Sequence, residues 1–407
     1  MGQLQQETEP TAVGLDPARM ARLDRHFDRY IDDGRLPGYL LVVARKGRIA
    51  HLATRGLRNR EEGLPVEPDT LWRMYSMTKP VTSVAAMLLY EEGLFSLNDP
   101  IADHLPAFAD ARVYVAGMGT NLATRPAVEP VRIWHLLTHT AGMTYGAFHT
   151  HPIHAAYCAA GLESGPPPGM DLAAVCDRYA GLPLQFEPGT AWNYGVGTDV
   201  IARLIEVLSG MPFDEFVAER LFRPLGMDDA GFFVGSERTD RLAVVYRPDA
   251  NGRATPLPGA PPLTRPDCVS AGGGLVASAL DYYRFTEMLR RGGELDGIRL
   301  LGPRTVELMV TNHLPDCGDL RTLSPPELDP GVYGFGFGLG FQVTVDPITA
   351  KVPSRVGEYG WVGKASTFFW VDPQEELTVL FLTQLQPQTA HPILPQLKQL
   401  VYQAIVS

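Results

Sequence analysis

The strand-forming segments of this chain gather at its two ends, and a long helical stretch separates them. Near the start, residues 39–45 (YLLVVAR), the pair Lys46-Gly47 and residues 48–56 (RIAHLATRG) read as a β-hairpin closed by a tight turn. Near the end, residues 338–346 (GLGFQVTVD), 365–372 (ASTFFWVD) and 376–384 (ELTVLFLTQ) are short apolar runs. The last two flank a Pro373-Gln374-Glu375-Glu376 turn. One antiparallel sheet built from both ends of the chain accounts for this arrangement. The expected fold class is therefore α+β: an antiparallel sheet flanked by helices, with an inserted, mainly helical subdomain. Residues 16–110 and 265–407 are expected to form the sheet domain and 111–264 the insert, with a cleft between them.

Helical spacing supports the same layout. In residues 16–34, Met20, Leu23, Phe27 and Ile31 share one face and Gly34 ends the pattern. The apolar positions of residues 81–93 (VTSVAAMLLYEEG) fit a buried helix of about four turns, closed by Gly93. Helical patches broken by Pro and Gly fill residues 100–265, among them 131–142 (VRIWHLLTHTAG). A last helix carries Leu397, Leu400, Val401 and Ile405.

Composition narrows the function classes. At 407 residues, with 45% hydrophobic and 20% charged, the chain is globular rather than disordered or fibrous. A formal charge of −11 argues against a nucleic-acid partner. The four cysteines form no CxxC pair and no zinc spacing, so free thiols in a reducing compartment are expected. The first residues lack the basic and apolar regions of a signal peptide, and no apolar run reaches membrane-spanning length. The expected location is cytoplasmic, with no membrane span.

Ser76-Met77-Thr78-Lys79, at the mouth of the buried helix, is the sharpest chemical signal. A helix puts residues three apart on one face, so Ser76 Oγ and Lys79 Nζ can meet. The helix N-terminus favours a neutral Lys79 and a developing oxyanion. A neutral amine beside a hydroxyl can take its proton and make a nucleophile. The ordinary lysine pKa is about 10.4, so this role requires burial to lower it. A serine helix cap followed by a lysine reaching solvent fits the same four residues.

With its surroundings, the motif resembles the class C β-lactamase, penicillin-binding-protein and family VIII carboxylesterase group. The blocks at 134–143 (WHLLTHTAGM), 186–195 (FEPGTAWNYG), 221–229 (LFRPLGMDD), 270–285 (SAGGGLVASALDYYRF) and 358–367 (EYGWVGKAST) follow in that group's order. The resemblance implies a catalytic set of Ser76, Lys79 and Tyr194, with the Tyr194 phenol sharing a proton network and protonating the leaving alcohol. It places the third motif at Trp361-Val362-Gly363. Gly363 lets the backbone approach the acyl group, and the N–H of Lys364 joins that of Ser76 in an oxyanion hole. No metal or organic cofactor is implied.

Two departures shape the expected substrate. Val196 stands where β-lactamases of this type carry the Asn of Tyr-x-Asn, and Trp361 stands where they carry the Lys of Lys-Thr-Gly. That cation grips a carboxylate, and its loss suits a neutral small-molecule ester, the family VIII pattern. The expected function is a serine hydrolase acting through an acyl-Ser76 ester. Acyl transfer to an alcohol, β-lactam or D-amino-peptide hydrolysis, and a catalytically silent binding homologue are the alternatives.

Other features read as structure. His135-x-x-x-His139 lacks the Glu of a zinc-protease helix, and both histidines read as structural. Gly334, Gly336 and Gly338 suggest a twisted strand rather than a phosphate loop. There is no Gly-x-Ser-x-Gly elbow. Residues 143–168 fit either a flap over the site or a surface excursion. Of the five lysines, Lys46 belongs to the hairpin turn, and Lys351 and Lys398 read as solvated surface.

Overall fold

Lys46 and Gly47 both take left-handed backbone angles (φ 54° and 73°), the geometry of a two-residue turn whose twist matches its strands. It joins β1 (Gly38–Arg45) to β2 (Arg48–Asn59), which continues to the short β3 (Leu64–Pro65). The computed structural model describes residues 3–148, 151–163, 165–257, 259, 263–324 and 333–407. From the C-terminal part come β4 (Phe335–Phe337), β5 (Gln342–Thr344), β6 (Tyr359–Gly363), β7 (Thr367–Asp372) and β8 (Leu377–Leu382). All eight form one antiparallel sheet in the order β4-β5-β6-β7-β8-β1-β2-β3. The two chain ends meet where β8 pairs with β1, Leu40 opposite Leu382 and Arg45 opposite Leu377.

Both faces of this sheet are covered, which is why its central strands read as unbroken apolar runs. Leu40, Val42, Phe369, Val371, Leu380 and Leu382 face one core, shared with α2 (Thr78–Glu91), α3 (Gly197–Ser209) and α4 (Ala279–Arg290). Leu41, Val43, Phe368, Trp370, Val379 and Phe381 face the other, under α1 (Pro17–Asp32) and α5 (Ile393–Tyr402). The α1 start is fixed by Asp16, whose Oδ1 accepts the Arg19 N–H at 3.0 Å.

The middle of the chain holds short helices and an unforeseen hairpin of Arg112–Ala116 against Ala123–Pro126. The patch at 131–142 is helical only over Ile133–Leu137, because His139 takes a left-handed φ of 59°. Of the stretch 143–168, residues 149, 150 and 164 lie outside the described residues; Ile153 and Tyr157 of the helix Pro152–Ala159 are buried in the core. Lys398 corrects the sequence reading: it is 5% exposed, and its ammonium pairs with Glu358. Among the described residues, no helix is long and apolar enough to cross a membrane.

Candidate active site

Ser76 sits in a single tight turn, Tyr75–Met77, between the strand Leu71–Arg73 and α2. Tyr75 takes a left-handed φ of 49°, a costly conformation for a residue with a side chain. The surroundings hold it there. The Tyr75 hydroxyl accepts from Gln386 Nε2 at 2.7 Å, and the Tyr75 carbonyl accepts from Thr78 Oγ1 at 2.6 Å. On either side, Met74 N–H donates to Leu275 O at 2.9 Å and Tyr282 Oη donates to Met77 O at 2.8 Å. Ser76 itself remains half-buried.

Lys79, in the first turn of α2, is 2% exposed and donates to Gly272 O at 2.7 Å. Its Nζ lies 4.5 Å from the Tyr194 ring centroid and 5.5 Å from that of Tyr145. Asp199, in the first turn of α3, accepts the Gly272 N–H at 3.0 Å. A Cβ on Gly272 would stand 3.3 Å from both Lys79 Nζ and Tyr145 Oη and 3.6 Å from Asp199 Oδ2, so these three groups converge on one glycine. Burial pushes the Lys79 pKa down, but the facing Tyr145 and Tyr194 oxygens outweigh it and hold the amine above its ordinary value. The resting site thus favours an ammonium, which corrects the expected neutral lysine. Burial raises Tyr145, with Lys79 pulling it back. Burial also raises Asp199, again opposed by Lys79.

The loop carrying Tyr194 is pinned by Asn193, whose Nδ2 donates to Met143 O at 2.7 Å and whose N–H donates to His139 O at 3.0 Å. Tyr194 Oη is buried and makes no hydrogen bond of ordinary geometry, but it faces the Lys79 ammonium. Its ring belongs to an aromatic wall: His139 at 4.7 Å, Trp361 at 5.5 Å, and Phe337 at 5.1 Å from Trp361. Strand β6 presents Trp361 to this wall and packs against the Ser76 turn. At Gly363 a Cβ would overlap Met74 O and Thr367 Oγ1, so only glycine allows the approach. Lys364 follows at the strand end and is exposed.

The structure therefore brings the Ser76 turn, Lys79, Tyr194, Trp361 and Gly363 together as neighbours. Sequence reasoning missed Tyr145 and Asp199. Tyr145 lies in a stretch with no periodicity to flag it. Asp199 did leave a signal, a carboxylate among the apolar residues Val196, Val200 and Ile201 of a helix. The two histidines are tied to backbone amides: His135 Nδ1 accepts Arg132 N–H at 3.0 Å, and His139 Nδ1 accepts Gly195 N–H at 3.5 Å. Burial, reinforced by the Lys79 charge, holds His139 well below the usual imidazole range. Among the described residues, no group of three or more His, Cys, Asp or Glu is placed to hold a metal.

A sheet closed from both chain ends, with a Ser-x-x-Lys turn opposite β6, defines a β-lactamase/transpeptidase-like fold. The chain belongs to the Beta-lactamase family, whose model matches residues 23–403. It is 36% identical to protein Rv1367c of Mycobacterium tuberculosis over 360 residues, 88% of each chain. It is 33% identical to esterase EstB of Burkholderia gladioli over 395 residues, 92% of this chain and 93% of that one. Among solved structures, EstCE1, described as a hydrolase with promiscuous acyltransferase activity, matches with a TM-score of 0.81 at 26% identity. That match covers 95% of this chain and 99% of EstCE1.

Proposed function

We propose that this protein is a serine hydrolase that cleaves small-molecule carboxylic esters through an acyl-Ser76 intermediate. The observation that supports the reading is that the Ser76 turn packs against β6, while buried Lys79 faces the Tyr194 ring and that ring packs on Trp361 of β6. Ser76 Oγ attacks the ester carbonyl, and its proton passes to the Tyr194–Lys79 pair in the form that has already released one proton, the pair acting as one proton-carrying unit. The N–H groups of Ser76 and Lys364 receive the oxyanion; each such donor contributes about a hundredfold or more in rate. The pair returns the proton to the departing alkoxide, leaving Ser76 esterified, and water then frees the acid by the same steps reversed. Trp361, Tyr194 and Phe337 give the cleft an apolar wall where related β-lactamases place a cation, which favours an uncharged acyl group.

EstB is an esterase by name, in keeping with this chemistry. The acyltransferase activity described for EstCE1 favours a second reading, in which an alcohol replaces water in the second step. Both share the acyl-Ser76 ester. Ser76→Ala should lower turnover of short p-nitrophenyl esters by about a thousandfold or more. Unaltered turnover would sink the assignment. Product analysis of the wild type with a competing alcohol apportions hydrolysis and transfer.

A further inference from the structure

Asp199 is a buried carboxylate that the steps above leave unused. It is 8% exposed, and its Oδ1 accepts the N–H of Gly272, whose carbonyl accepts Lys79 Nζ. The remaining oxygen, Oδ2, comes to the same side of Gly272 as the ammonium and Tyr145 Oη. An ionised carboxylate withdrawn from water needs a cation or several donors, and an ammonium withdrawn from water needs an anion. Lys79 is faced by His139, Tyr145 and Tyr194 as well as Asp199. Asp199 is faced in addition by Tyr179, Cys176 and Cys268 from its other side. Burial keeps Tyr145, Tyr179 and both thiols protonated at neutral pH and His139 uncharged. Beside the Tyr145 and Tyr194 oxygens, Asp199 is the carboxylate that adds a formal negative charge near Lys79, and the Lys79 charge and the Gly272 N–H in turn favour its ionised form against burial.

We propose that Asp199 is the positioning residue for Lys79: it anchors Gly272 from the N–H side and supplies the counter-charge that keeps Lys79 a cation in the closed site. The inference rests on the reading of Ser76 and Lys79 given above and deepens it. Asp199 acts through Gly272 and Lys79; it sets how strongly the Tyr194–Lys79 pair holds a proton. Without the carboxylate the pair releases its proton at lower pH and becomes a weaker base.

Asp199→Asn isolates the charge, because an amide oxygen still accepts the Gly272 N–H. Ester kcat/KM and the rate of fluorophosphonate attachment to Ser76 are measured for wild type and variant across neutral and alkaline pH. The expected result is an inflection displaced to lower pH by about one unit or more, and a plateau about tenfold lower. The KM and the melting temperature should stay near those of the wild type. A wild type labelled on Ser76 together with an unmoved inflection in the variant overturns the proposal and leaves the nucleophile standing. No adduct on Ser76 in the wild type overturns both. Should Asp199→Asn fail to fold, Gly272→Ala carries the test. Its methyl group, 3.3 Å from Lys79 Nζ, separates the amine from the carboxylate, and the inflection must again move down. An unmoved inflection there also overturns the proposal.

Discussion

Lys398 takes its ammonium into the packed face of the sheet away from α2, where Glu358 pairs with it and the Tyr402 hydroxyl donates to the same carboxylate. Trp370 lies 5.2 Å from the Nζ. Lys398→Ala leaves Glu358, 2% exposed, without its cation, and should cost about 3–5 kcal/mol in urea unfolding. A loss under about 1 kcal/mol would mean that the pair is solvated, as the bare sequence suggested. The contrast with Lys79 shows what a sequence exposes at this scale. Ser76 and Lys79 are three residues apart, so their meeting follows from local geometry. Lys398 and Glu358 are 40 apart, and Asp199 and Gly272 are 73 apart. Such partners meet only after the sheet and helices have packed, and no spacing rule reaches them. Tyr145 was hidden for the same reason.

Among the elements, those with a strict local cause were legible. The Lys46-Gly47 turn needs two left-handed residues, and β1 and β8 read as apolar runs because helices cover both their faces. Helix extents were less legible, since one backbone angle can end a pattern that hydrophobic spacing would continue, as at His139. The contact between β6 and the Ser76 turn is the element-level fact on which the site depends, and it passes through Gly363. Gly363→Ala must push the strand off Met74 or displace Thr367. The expected outcome is a fall in kcat of at least about tenfold with KM little changed, because the oxyanion donors lose their spacing. Steady-state kinetics on a short ester checks this. A kcat equal to that of the wild type would show that β6 does not set the geometry at Ser76.

For the molecule as a whole, buried titratable groups decide the response to acid. Burial and the Arg132 charge hold His135 down to about 4, from an ordinary 6.5, and His139 lies well below its ordinary value too. A group of this kind binds fewer protons folded than unfolded, so stability falls with pH from about 6.5 to about 4. Asp281 works in the opposite sense: burial raises it from 3.8 to about 6, so the folded state holds the extra proton and gains as pH falls through that window. At about 1.4 kcal/mol per unit, His135 and Asp281 oppose each other with roughly 3 kcal/mol apiece. His139 tips the balance toward loss, and between about pH 6.5 and pH 6 the histidines act before Asp281 has begun to compensate. The urea midpoint should therefore peak near neutrality and decline on acidification. His135→Asn keeps an acceptor for the Arg132 N–H while removing the titrating ring. It should flatten the decline of the midpoint between about pH 6.5 and pH 4, and a slope as steep as the wild type's would show that another group controls acid stability.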